Sequence, residues 1–167
     1  MTFAKGLANG LPIGGVVARA DLVDSITVNS ISTFGGNPLV TAVALATLDY
    51  IESHSLVVNV EHRGKELLDG LAVMEREHEE VGEVRGKGLM VAVEYVESGG
   101  KSPSPEITSR VLDECRQRGL LVGKGGRHGN CLRISPPMSV TKAEVESAVG
   151  ILREATAAAI GRALSVR

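Results

Sequence analysis

Lys5 lies in the opening segment MTFAKGLANGLPIGGVVAR, where Gly6, Gly10, Gly14, Gly15 and Pro12 crowd around it. Glycine is costly in regular structure, so this density points to tight turns or to close approach of the backbone to something else. A lysine amine attacks carbonyl carbon once its ammonium is desolvated or set beside another positive centre. On residue type alone the plainer reading is an ordinary solvated lysine. The rest of the chain decides between the two.

Other chemistries find little support. GxxxxGK[ST], GxSxG and HExxH do not occur, and His54, His62, His78 and His128 are dispersed. GKGGRHG reads as a hairpin loop rather than an anion cradle. With 18 basic against 20 acidic side chains, a formal charge of −2 and 2% aromatics, the chain has neither the charge nor the stacking groups for nucleic acid. The longest apolar run, PLVTAVALATL, is too short and too threonine-rich to span a bilayer. Cys115 and Cys131 stand apart and read as reduced thiols rather than a secreted disulfide framework. We therefore expect a cytoplasmic protein without a metal, a nucleic-acid partner or a membrane partner.

The elements that must position Lys5 follow from periodicity and punctuation. IGGVVA reads as a short strand buried on both faces, from Ile13 to Ala18. A helical patch follows at Ala20–Ile26. Asn37 before Pro38 is a strong helix start, opening PLVTAVALATLDYIESH, which is apolar on nearly all sides from Leu39 to Leu48. A second helix runs from Leu56 to His78, with Val57, Val60, Leu67, Leu68, Leu71 and Met74 as its buried stripe. EHRGKE and EREHEE within it read as solvated charge. VGEVRGKGLMVAVEYV gives two strands about a glycine turn, PEITSRVLDECRQRG an amphipathic helix stopped by Gly119, and LLVG and CLRIS two further strands. Thr141 and Glu144 form a capping box for a last helix from Lys142 to about Arg162.

Three segments, TFAKGLANGLPIGG, STFGGNPLVTAVALA and LRISPP, together resemble the class III aminotransferases, pyridoxal-phosphate enzymes of fold type I, in the ω-amino acid and alanine–glyoxylate style. VRGKGLM is similar to a strand-turn of that family's C-terminal domain. The resemblance covers essentially the whole chain. It implies that Lys5 is the catalytic and cofactor-binding lysine and that Thr33 reaches the cofactor phosphate of a neighbouring subunit. It further implies that Arg133 grips the substrate carboxylate. A hydroxyl donates to phosphate, and arginine's planar fork matches a carboxylate bidentately, as lysine cannot.

The implied fold class is α/β: residues 1–58 a remnant of the cofactor-binding large domain with an interface helix, residues 59–167 the small C-terminal α/β domain. The resemblance assigns the phosphate cup, the ring-stacking aromatic and the ring-nitrogen aspartate to a first half that lies outside this chain. The implied function is transamination from an amino acid or amine to a 2-oxo acid, with pyridoxal 5′-phosphate as cofactor. Alternatives are a non-catalytic oligomerising fragment and a related aminomutase or decarboxylase. Residues 1–50 hold more apolar surface than they can cover, so a homodimer or higher homo-oligomer is expected.

Overall fold

Thr2–Phe3 (β1) pairs antiparallel with Gly15–Val16 (β2), and Phe3 stands opposite Gly15. A Cβ at Gly15 would meet the Phe3 ring at 2.5 Å, so glycine is what lets that ring cross the partner strand. In the computed structural model, which describes residues 1–164, β1 and β2 belong to the first of two compact units, Met1–Leu56 and Val57–Arg167. The loop closed by β1 and β2 contains a 3₁₀ turn, Lys5–Ala8, ended by Asn9 in the left-handed conformation.

α1 (Ala20–Val23) and α2 (Pro38–Ser53) complete the first unit. The Asn37 side-chain oxygen accepts hydrogen bonds from the Leu39 and Val40 amides at 3.1 and 3.2 Å. Pro38 takes the first helical position, where a missing N–H costs nothing. α2 lies against the Lys5–Ala8 turn, and Ala8, Val40 and Ala44 are the buried residues of this unit. Val40 and Ala44 are one helical turn apart, so α2 presents one narrow stripe inward.

Here the structure corrects the sequence. Within Ile13–Ala18 only Gly15 and Val16 are strand, and Val16 is 63% exposed rather than buried. Among the described residues β2 has a single strand partner, β1, and beyond the Phe3 ring over Gly15 its side chains stay exposed. The helical patch expected over Ala20–Ile26 stops at Val23.

The second unit is built on a four-stranded antiparallel sheet of order β3-β4-β6-β5, from β3 (Val81–Lys87), β4 (Met90–Tyr95), β5 (Gly123–Gly125) and β6 (Cys131–Ile134). Period-two alternation sends Val91, Val93, Tyr95, Leu132 and Ile134 into one core. There they meet Leu67 and Leu71 of α3 (Leu56–Ala72), Met74 of the short α4 (Met74–Glu77), Val111 of α5 (Pro105–Gln117) and Leu152 of α6 (Lys142–Leu164). Tyr95 and Thr156, both fully buried, satisfy each other's hydroxyls at 2.8 Å. Cys115 and Cys131 are buried and free, and burial pushes the Cys115 thiol up to about 11.

Local punctuation reads true in this unit. The Glu144 carboxylate accepts from the Thr141 amide at 2.7 Å, while the Glu144 amide donates to the Thr141 hydroxyl at 3.3 Å. Gly119 ends α5 at φ +82°, with the Leu120 amide reaching back to the Cys115 carbonyl at 2.9 Å. Three details differ. The long helix expected from Leu56 to His78 breaks at Val73 into α3 and α4. Val57 is 65% exposed because it lines an open groove between α3 and the Lys87–Gly88 turn. The strand expected at LLVG begins only at Gly123, leaving Leu121 84% exposed.

Candidate active site

Lys5 follows β1 directly. Ala4 is extended, at φ −165°, and Lys5 then turns into the left-handed region at φ +56°. Residues with a Cβ avoid this region, and such an outlier in a non-glycine residue marks a place where the surroundings over-determine the backbone. The Lys5 side chain is exposed and makes no hydrogen bond or ion pair among the described residues. Around it, hypothetical Cβ atoms on Gly6 and Gly10 would meet nothing within 4 Å. The backbone on this side of the turn is open to a ligand.

Thr33 lies in the turn before α2, exposed and likewise without a hydrogen-bond partner among the described residues. A Cβ at Gly35 would stand 2.8 Å from the Ser32 hydroxyl, and Gly36 sits at φ +64°. The Asn37 amide group donates to the Phe34 carbonyl at 2.9 Å, tying this turn to the helix cap. Lys5 and Thr33 thus share one unit, although no hydrogen bond joins them.

Arg133 belongs to the other unit. In β6, Leu132 and Ile134 point into the core, so Arg133 projects from the opposite face of the sheet, exposed. The cross-strand register places Arg85, Ala92, Arg133 and Gly123 in one row across β3, β4, β6 and β5. The two arginines in that row differ in their partners. Arg85 donates to Glu83 at 2.6 Å and to Glu94 at 2.5 Å. The hydrogen bond to Glu94 raises the Arg85 pKa, and the same bond holds the Glu94 carboxyl below the usual range. Arg133 has no carboxylate partner among the described residues. Its cross-strand neighbours, Ala92 and Gly123, are the two smallest side chains the row could hold. The face therefore carries one neutralised guanidinium and one left free for an anion.

Sequence reasoning missed Ala92 and Gly123, since both act only through strand register. Among the described residues no group of three or more His, Cys, Asp or Glu could hold a metal ion. No described helix is long and apolar enough to cross a membrane.

Comparison with known proteins places the chain in a family. The aminotransferase class-III family model matches residues 1–156. The mitochondrial alanine–glyoxylate aminotransferase 2 homolog 2 of Arabidopsis thaliana is 39% identical over 148 residues, covering 87% of this chain and 31% of the relative. A phospholyase from Arthrobacter, solved with phosphoethanolamine, superposes with a TM-score of 0.88 at 33% identity, over 93% of this chain and 38% of that one. An amine transaminase from an uncultivated Pseudomonas species, in its PLP-bound form, superposes with a TM-score of 0.80 at 32% identity, over 96% of this chain and 38% of its own. The chain thus spans between 31% and 38% of these relatives' lengths. With its mixed α/β architecture and a family match from Met1 through Thr156, the chain belongs to the class-III aminotransferases.

Proposed function

We propose that this chain contributes Lys5, Thr33 and Arg133 to a pyridoxal-phosphate-dependent aminotransferase that moves an amino group from an amino acid or amine to a 2-oxo acid. The observation that carries this reading is Lys5 itself, an exposed amine with no hydrogen bond or ion pair among the described residues, on a positive-φ backbone in an open glycine turn. Its chemistry fits an aldehyde, and the unpartnered Thr33 hydroxyl fits a phosphate oxygen. Pyridoxal phosphate, when bound, supplies an aldehyde for an amine and a ring that withdraws electrons from the substrate's Cα. Lys5 Nζ would hold the cofactor through its aldehyde and would serve as the base for the proton on the substrate's Cα. Thr33 Oγ1 donates to the phosphate. Arg133 fixes the substrate by its carboxylate.

In this reading residues 1–58 belong to the cofactor-binding large domain and residues 59–167 to the small domain of fold type I, in a cytoplasmic enzyme. The phosphate cup and the ring-nitrogen carboxylate come from sequence outside these residues. The 167-residue chain alone therefore binds pyridoxal phosphate weakly and does not turn over steadily, because preorganised electrostatics is a large part of catalysis. Titrating the chain with pyridoxal phosphate should give a visible absorbance band that Lys5→Ala lacks. Identical spectra for the two proteins, or steady Lys5-dependent transamination above the free-cofactor rate, would overturn this account.

A second reading, a non-catalytic oligomerising unit, is favoured by the apolar surface of the first unit. Val16, Val28, Ile31, Phe34, Leu39 and Leu45 are between 60% and 96% exposed. Fully burying each stabilises by about 1.5–3 kcal/mol, a sum on the scale of a whole domain's stability. Both readings give a two-fold dimer through residues 1–50, and the Lys5-dependent absorbance separates them. Sedimentation at micromolar concentration should show a dimer. A monomer in which residues 1–50 are ordered would contradict it.

A further inference from the structure

We propose that Gly123 is a positioning residue for Arg133: by lacking a side chain it lets the guanidinium rest over β5 with one bidentate edge undisturbed. This rests on the reading of Arg133 as the carboxylate-binding group. Gly123 pairs with Arg133 in the β5–β6 register. A Cβ built on Gly123 would stand 3.3 Å from Arg133 Nη2 and 3.4 Å from Nε. These two nitrogens form one edge of the guanidinium fork, the geometry that accepts a carboxylate bidentately.

Backbone conformation does not account for this glycine. Gly119, Gly126 and Gly129 around it sit at φ +82°, +84° and +67°, whereas Gly123 has no positive φ. Its backbone would accept alanine. Glycine inside a strand weakens the strand, and it marks close approach by another group. The group that approaches is the guanidinium, and the contact falls on flexible side-chain nitrogens rather than on rigid backbone. An added Cβ therefore leaves the sheet in place and moves the Nε–Nη2 edge by a few tenths of an ångström. On the opposite side of Arg133 the register places Ala92, whose side chain is a single methyl. The free guanidinium is held between two small residues, while Arg85, two strands away, is tied to Glu83 and Glu94.

The test follows the Arg133 Nε–H resonance of the full chain by NMR, identified by its loss in Arg133→Ala, with pyruvate as the probe carboxylate. In ligand-free protein, Gly123→Ala and the bulkier Gly123→Val should shift and broaden this resonance in that order. Pyruvate affinity should fall about threefold and about tenfold respectively, as small misplacements of a binding group do. In an Arg133→Ala background neither substitution should have any further effect, which a merely structural role for Gly123 would not produce. An unchanged resonance and unchanged affinity in Gly123→Val, or an equal loss in the Arg133→Ala background, would overturn the proposal. Equal pyruvate binding by the original chain and Arg133→Ala would instead overturn the carboxylate reading of Arg133. The ligand-free resonance still decides whether Gly123 positions the side chain. Gly123→Ala, the milder change, provides the comparison if Gly123→Val does not fold.

Discussion

In an enzyme assembled as proposed, Arg133→Ala should lower the preference for carboxylate-bearing substrates over plain amines by at least about tenfold, since truncating one member of a charge pair that becomes buried with the substrate costs about 2–5 kcal/mol. Arg133 is the free cation of its row, with Arg85 already committed to Glu83 and Glu94. On the proposed role of Arg133, its loss leaves the substrate carboxylate without its fork. A plain amine has no carboxylate and loses nothing. The measurement is kcat/KM for an amino acid and for a primary amine of similar bulk, in both proteins. A fall of the same size for the two substrates would show that Arg133 acts on something other than the carboxylate.

Gly64→Ala should destabilise the second unit, against the usual trend for helices. In an exposed helix interior, alanine is more favourable than glycine by about 1 kcal/mol. At Gly64, however, a Cβ would stand 2.4 Å from the Gly88 carbonyl carbon and oxygen, so α3 and the β3–β4 turn meet backbone to backbone. Neither side can swing away as a side chain would. Overpacking of this kind costs about 1–3 kcal/mol or more, enough to exceed the propensity gain. A domain of this size loses roughly 4–8 °C of Tm per kcal/mol, so the melting point should drop by several degrees. Gly150→Ala, in α6 with nothing within 4 Å of its Cβ, should raise it. A higher Tm for Gly64→Ala would mean that the two backbones are not in contact.

Gly64 also shows where sequence reading stops. It sits in EHRGKE, which reads as solvated charge, yet it is buried and continues the stripe Val60, Gly64, Leu67, Leu71, Met74 at helical spacing. A glycine carries no hydropathy signal, so the approach of a turn some twenty residues away leaves no local trace. What was legible is what is decided within a few residues: the Asn37 cap, the Thr141–Glu144 box and the Gly119 stop each depend on their nearest neighbours. Lys5 and Arg133 were legible as types in motifs, and the family those motifs resemble is the one whose model matches residues 1–156. The unpaired state of Arg133 was not legible, because it follows from which arginine of a four-strand row meets the glutamates. The burial expected for Ile13–Ala18 failed because apolarity reports what should be covered and not whether the chain itself supplies the cover.

The central claim is that Lys5 is the amine that holds the cofactor. The most direct measurement is borohydride reduction of the chain in pyridoxal phosphate, followed by peptide mapping of the modified lysines. Six lysines compete, Lys5, Lys65, Lys87, Lys101, Lys124 and Lys142, together with the amino terminus of Met1. Lys65 is tied to Asp69 at 2.5 Å and Lys124 to Ser109 at 2.6 Å. At limiting cofactor, the account predicts that the adduct concentrates in the peptide containing Lys5, and that Lys5→Ala removes it without raising the label elsewhere. Label spread evenly over the exposed lysines, with Lys5 no richer than Lys87 or Lys101, would contradict it.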